Sequence, residues 1–170
     1  MVGLIAEFFL HKEKGATIIH DPRVIWNTID VVGKCGGHAV ASKTGHTFVK
    51  SAMRSADAIY GGEMSAHHYF RDFAYCDNGV IPWLLVWEYL STSKLSLSDV
   101  ISERRNRFPS SGELNFTVDH TAFCIERVQN HFVSKASSID YLDGLSMSFD
   151  TWRFNLRKSN TEPLVRLNIE

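Results

Sequence analysis

The sequence predicts an α/β protein: a three-layer α/β/α domain with a mixed sheet, followed by a smaller α+β domain. Three observations carry this. Helical and strand-like patterns alternate over the first hundred residues. The stretch Arg107-Phe108-Pro109-Ser110-Ser111-Gly112 combines proline, glycine and serines as a linker does. Beyond it the order changes, and short period-2 runs outnumber helices. The boundary is therefore expected near 108, giving domains 1–108 and 109–170.

Taken in order, the stripe Leu4, Ile5, Phe8 and Phe9 predicts a helix near 2–13. Thr17-Ile18-Ile19-His20 reads as a short strand closed by the turn Asp21-Pro22-Arg23. Val24, Ile25, Ile29 and Val32 recur at helical spacing, and Gly36-Gly37 ends that helix. A strand at 38–42, the loop Lys43-Thr44-Gly45-His46, a helix near 47–55 and the strand Ala58-Ile59-Tyr60 follow. This βαβαβ rhythm gives a sheet with helices on both faces and functional loops at strand ends. After a loop at 61–79, the apolar run from Val80 to Leu90 predicts a buried helix over about 80–92. Tyr69, Phe70, Phe73, Trp83 and Trp87 are accordingly expected in the core. Ser96, with Asp99 three residues on, is a capping-box variant that starts another helix.

In the second half, a strand at 113–118 precedes a helix at 120–135 with Phe123, Val128 and Phe132 on its apolar side. Strands at 139–142 and 145–149 come next. Trp152, Phe154 and Leu156 then alternate with Arg153, Asn155 and Arg157, and Val165, Leu167 and Ile169 with Arg166, Asn168 and Glu170. That pattern on both sides of a polar turn describes a hairpin of two half-buried strands.

Composition narrows the functional class. The 170 residues are 44% hydrophobic and 22% charged, ordinary for a globular protein, with a net charge of −1. Nucleic-acid and membrane-surface binders favour a basic field, so any anion site here must be a local cluster of cations. Cys35, Cys76 and Cys124 are odd in number, far apart and without a Cys-x-x-Cys, which favours free thiols and a cytoplasmic, reducing setting. No apolar run reaches the roughly 18 residues of a membrane span. The chain opens inside a helical stripe and stops on a strand, so both ends are expected to be cut.

Arg157-Lys158-Ser159-Asn160-Thr161-Glu162-Pro163 crowns the hairpin with a guanidinium, hydroxyls and a carboxamide. Those are donors that a phosphate dianion takes up well, Arg bidentately; the same residues also suit an ordinary solvated turn. Gly61-Gly62-Glu63-Met64-Ser65-Ala66-His67-His68 follows a strand. If that segment is extended, Glu63, Ser65 and His67 share one side and suit sugar hydroxyls; a solvated turn before an edge strand is the plainer reading. Arg23, Lys43 and His46 sit just after strands and could converge with Glu63, or each could be a loop charge in water. His67, His68, Asp72, Cys76 and Asp77 have no zinc-site spacing, and no metal site is expected.

Together these segments resemble the α-D-phosphohexomutase family, the bacterial phosphomannomutase branch in particular. The family's sugar loop, Gly-Glu-Met-Ser-small-His, appears as Gly62-Glu63-Met64-Ser65-Ala66-His67, and its phosphate loop, Arg-x-Ser-Asn-Thr-Glu-Pro, as Arg157 to Pro163, with Arg166 also matching. IIHDPR and SKTGH match as well, in the right order along the whole chain. The resemblance implies that the chain is the third domain and most of the fourth, the latter lacking its last helix. It implies interconversion of mannose 6-phosphate and mannose 1-phosphate through a phosphoserine and a bisphosphate intermediate, with Mg2+ as cofactor and a bisphosphorylated hexose as activator. The alternatives are a non-catalytic phosphosugar-binding fragment, or a related phosphoglucomutase or phosphoglucosamine mutase. By carry-over Arg157, Ser159, Asn160 and Thr161 bind phosphate, Arg23, Gly45, His46, Glu63, Ser65 and His67 bind the sugar, and His67 is the candidate acid–base group. No Asp-Gly-Asp-x-Asp-Arg magnesium loop and no matching phosphoserine segment occur in this sequence. The expected partner is a hexose phosphate, with no nucleic acid and no membrane; the N-terminal domains of the parent protein are expected to be missing, and the isolated chain to be inactive.

Overall fold

The computed structural model describes residues 1–159 and 162–170. The chain divides into two compact units, one of 1–21 with 25–109, the other of 22–24 with 110–170. A cut in the linear sequence could not have assigned the three residues 22–24 to the second unit.

The first unit is built on a five-stranded mixed sheet of order β2-β1-β3-β4-β5. Its strands are β1 (Thr17–His20), β2 (His38–Ala41), β3 (Tyr60–Gly62), β4 (His68–Phe70) and β5 (Cys76–Asp77). β1 pairs in parallel with β2 and β3, whereas β4 and β5 add antiparallel strands. Helices α1 (Val2–Lys12) and α2 (Trp26–Lys34) cover one face, and α3 (His46–Ser55) the other. The alternation of β1 sets this division. Ile18 packs with Ile5, Leu10 and Val32, while Ile19 packs with Val49 and Met53. The three-layer architecture and its mixed sheet are present as expected.

Two strands lie where a loop was expected. The third strand also begins later than Ala58, so that both glycines belong to it. The reason is close packing: a Cβ on Gly61 would lie 2.8 Å from Met53 Sδ and 3.2 Å from Val49 Cγ1. β-propensity disfavours glycine, yet α3 approaches closely only where no side chain intervenes. The segment after Phe70 turns through a 3-10 helix (Arg71–Phe73) and a left-handed Ala74 before β5.

Helix α4 (Val80–Ser93) corrects a second expectation. Ile81 and Leu85 pack against the core, and Tyr89 meets Phe8 with ring centroids 5.4 Å apart. Trp83 and Trp87, expected in the core, are 58% and 57% exposed, as are Val80 and Leu84 to a similar degree. A helix apolar all round can bury only the face its neighbour meets. Tyr69 and Phe70 are buried as expected, but Phe73 is exposed. Helix α5 (Leu97–Arg107) starts with the anticipated capping box, Ser96 Oγ accepting from the Asp99 amide.

The second unit is an antiparallel sheet of order β6-β10-β9-β8-β7. It comprises β6 (Glu113–Thr117), β7 (Ser138–Asp140), β8 (Leu145–Ser148), β9 (Arg153–Lys158) and β10 (Leu164–Ile169), with α6 (Thr121–Phe132) against one face. Ile125, Val128 and Phe132 of α6 pack on Leu145, Met147, Phe154, Leu156 and Val165. Phe123, expected on the packed side, is exposed. The opposite sheet face is polar yet buried: Arg153, Asn155 and Asn168 have almost no exposure. The half-buried hairpin reading fails there because these side chains have partners. Arg153 donates to Glu170 Oε1 (2.8 Å) and to the carbonyls of Pro22 (2.9 Å) and Arg23 (3.1 Å). Asn155 donates to Asp143 O and Ser146 Oγ, and Asn168 to Gly112 O. Among the described residues no helix is long and apolar enough to cross a membrane.

Candidate functional site

In the first unit, the β3–β4 connection is a tight hairpin. The Glu63 amide donates to His67 O (2.9 Å), the Ala66 amide to Glu63 O (3.0 Å), and Ala66 has φ 67°. Asp21 Oδ2 accepts from the Met64 amide at 2.6 Å. Glu63, Ser65 and His67 therefore do not share one side of an extended strand; the chain turns between them. Ser65 is exposed at the tip, whereas Glu63 faces inward with 2% exposure.

Glu63 holds the preceding loop. Its Oε1 accepts from the Gly45 amide at 2.9 Å and its Oε2 from Tyr69 Oη at 2.6 Å. Burial first, then the Glu63 carboxylate, pushes the Tyr69 hydroxyl far up, so it remains a donor. Gly45 caps α3 with φ 117° and ψ 144°, a conformation essentially reserved for glycine. The consequence is a fixed His46, the first residue of α3, whose ring meets that of His67 at 4.4 Å between centroids and that of Tyr69 at 5.3 Å. Of the expected group, His46, Glu63 and His67 do converge here.

His67 has an orienting partner. Its Nδ1 lies 2.7 Å from Asp77 Oδ2, and Asp77 Oδ1 accepts from the His68 amide at 2.8 Å. Burial raises the Asp77 pKa, but the His68 amide and the imidazoles of His67 and His46 outweigh it and hold the carboxyl below its usual range. An ionised carboxylate at Nδ1 needs the proton there, which leaves Nε2 as the acceptor of the neutral ring. Asp77 went unassigned in the sequence because β5 is two residues long, too short for any periodicity.

The adjacent His68 is a core residue. Its Nδ1 lies 2.7 Å from Tyr60 Oη, and its pKa is lowered to about 4, by burial first, then by the Met1 ammonium and His67, against the pull of Asp77. The unfolded chain takes up this proton near 6.5 and therefore binds more protons than the folded chain between pH 6.5 and 4. Stability should fall by about 3 kcal/mol as pH drops through that window. Urea midpoints against pH should show this decline, and His68→Gln should flatten it; an unflattened profile would assign the acid sensitivity elsewhere.

In the second unit, three guanidiniums surround one carboxylate. Glu113 Oε2 lies 3.2 Å from Arg157 Nη2 and 3.7 Å from Arg23 Nη1, and Oε1 lies 3.3 Å from Arg166 Nη1. Arg166 Nη2 also reaches Ser159 Oγ at 3.4 Å. Arg153 brings Arg23 here by donating to the carbonyls of Pro22 and Arg23. Asn160 and Thr161 lie outside the described residues. Of the proposed phosphate ligands, Arg157 and Ser159 thus adjoin one cationic cluster, which Arg23 joins from the chain's opposite end. Glu113, Arg153 and Gly144 carried no local signal, since each matters through strand register. Gly144, at φ 77°, lies under the site: a Cβ there would come within 2.6 Å of Leu156 O and 2.9 Å of Arg157 Cα. Gly144→Ala should cost about 1–3 kcal/mol from backbone strain alone, measured by thermal unfolding; an unchanged midpoint would refute the close approach.

Two family descriptions match the chain. "Phosphoglucomutase/phosphomannomutase, alpha/beta/alpha domain III" covers residues 1–108, and "Phosphoglucomutase/phosphomannomutase, C-terminal domain" covers 113–170. The chain belongs to the phosphoglucomutase/phosphomannomutase family. Phosphomannomutases of Salmonella typhimurium and Escherichia coli K12 are 60% and 58% identical over the whole chain, which spans 37% of the length of each. A crystal structure of a family protein from Burkholderia thailandensis superposes with a TM-score of 0.78 at 30% identity, over 99% of this chain and 36% of that one. Family membership implies Mg2+. Among the described residues, the group of His, Cys, Asp and Glu side chains close enough to hold an ion is His46, His67 and Asp77. Two imidazoles and one carboxylate do not fit Mg2+, which takes an oxygen shell.

Proposed function

We propose that this chain carries the sugar and distal-phosphate recognition of a phosphomannomutase interconverting mannose 6-phosphate and mannose 1-phosphate. The observation that supports this most is the cluster of Arg23, Arg157 and Arg166 beside Ser159, in a protein whose net charge is only −1. Guanidiniums concentrated at one strand end suit a phosphoryl dianion. Arg157, Ser159, Asn160 and Thr161 hold the phosphate that is not reacting. Ser65 and His46 meet sugar hydroxyls, while the inward-facing Glu63 positions Gly45 and His46.

His67 moves a proton at Nε2, with Asp77 keeping its proton on Nδ1. The reaction runs through a phosphoserine and a bisphosphorylated hexose, which also serves as activator. The phosphoserine and the Mg2+ loop belong to the part of the relatives' length that this chain does not span, and the enzyme works in the cytoplasm. Phosphoryl transfer rests on positioning and charge stabilisation, so half of the constellation binds without turning over. A second reading, a phosphoglucomutase, is supported by the family description, which names both sugars.

Calorimetric titration of the 170-residue chain with mannose 6-phosphate, glucose 6-phosphate and mannose tests both. Mannose 6-phosphate should bind and mannose should not; a clear preference for glucose 6-phosphate would favour the second reading. In a coupled assay with bisphosphate activator the chain should show no turnover, and magnesium-dependent turnover would contradict the assignment.

A further inference from the structure

Arg157 and Arg166 face one another across the β9–β10 ladder as register partners. Like charges directly opposite on neighbouring strands repel, and such a pair persists only with an anion between them. Glu113, on the next strand, fills that role by giving one oxygen to each guanidinium and sharing Oε2 with Arg23. Glu162, with Oε2 3.5 Å from Arg166 Nη2, is a second anion beside Arg166 and is largely exposed. Three guanidiniums gathered on the Glu113 carboxylate, with the largely exposed Glu162 beside Arg166, keep the cluster cationic, which suits a phosphoryl dianion. The Nε atoms of Arg157 and Arg166 are buried and have no acceptor among the described residues. The guanidiniums thus hold more donors than the carboxylate uses.

We propose that Glu113 is the resident anion of the phosphate site: it holds the guanidiniums in place in the free protein and is exchanged for the phosphoryl group on binding. The inference rests on the reading of this cluster as a phosphate site. A carboxylate carries one charge and two oxygens, a phosphoryl dianion two charges and three oxygens, so the cluster favours the exchange. The side chain thereby prevents mutual repulsion of the arginines without blocking the ligand. It also sets selectivity, because an incoming anion must outcompete a carboxylate; a monoanion gains little by doing so.

The test is calorimetric titration of the wild-type chain, Glu113→Gln and Arg157→Ala with inorganic phosphate and with mannose 6-phosphate. Glu113→Gln keeps the shape and removes the competing charge, so both ligands should bind about tenfold more tightly, one decade being 1.4 kcal/mol. Unchanged or weaker binding by Glu113→Gln, with binding still weakened in Arg157→Ala, would overturn the exchange and leave the phosphate site standing. No binding by the wild type, or identical binding by all three proteins, would overturn the phosphate site and the exchange with it. A second measurement needs no variant: the 13C shift of the Glu113 carboxyl should move as phosphate saturates the wild type. A resonance that stays in place through saturation would also overturn the exchange.

Discussion

Replacing Arg157 by alanine should weaken mannose 6-phosphate binding by about 1.5–3 kcal/mol, the range for a hydrogen bond to a charged group, or roughly ten- to a hundredfold in Kd. The side chain is only 14% exposed, on a strand whose register is fixed on both sides. Its guanidinium is therefore already placed before the ligand arrives, and little ordering entropy offsets the interaction. Arg157→Lys separates charge from geometry. Lysine retains the positive charge but not the planar fork, so it should recover part of the affinity and none of the bidentate selectivity. Calorimetry on folded variants with unchanged thermal midpoints reads both. An Arg157→Ala protein that binds as the wild type does would make the hairpin tip an ordinary turn.

Glu63→Ala should be the most damaging single change in the first unit, costing about 3–5 kcal/mol of stability. The carboxylate, itself buried, accepts from the Gly45 amide and from Tyr69 Oη. Alanine leaves the buried Tyr69 hydroxyl and the half-buried Gly45 amide without this acceptor and opens a cavity. Glu63→Gln retains the volume and one acceptor oxygen, and should cost about half as much. Urea unfolding gives the stabilities, and amide exchange at Gly45 gives the location. Faster exchange at Gly45 with protection elsewhere retained is the expected signature; uniform loss of protection would place the damage in the core instead.

The sequence made the architecture legible wherever an element was long enough to show its period. Ile18 and Ile19 of β1, the stripe of α1 and the capping box at Ser96 each carry a local signal that the packing later uses. The failures share one cause, which is that tertiary partners decide. Strands β4 and β5 are three and two residues long, below the reach of alternation. Trp83 and Trp87 are apolar, but only one face of α4 meets the core. Arg153, Asn155 and Asn168 alternate with apolar residues as solvent-facing side chains would, yet are buried against carbonyls from distant segments.

Candidate site residues with distinctive local chemistry could be singled out: His46, Glu63 and His67 meet in the first unit, and Arg157 and Ser159 adjoin the cluster in the second. What could not be read was the supporting frame of Asp77, Glu113, Arg153 and Gly144. Asp77 reaches His67 directly from 10 residues further along the chain, and Glu113 reaches Arg157 from 44 residues away. Glu63 could be singled out as a functional position, but its inward orientation depends on the hairpin turn at Ala66.

The most direct test is a heteronuclear NMR titration of the chain with mannose 6-phosphate, following backbone amides and arginine side-chain Nε–H groups together. Saturable shifts of the Nε–H resonances of Arg157 and Arg166 and of amides near the β9–β10 turn are expected, with Arg157→Ala moving the remaining shifts to roughly ten- to a hundredfold higher ligand concentration. Saturable binding that leaves those arginine resonances unmoved would contradict the phosphate site.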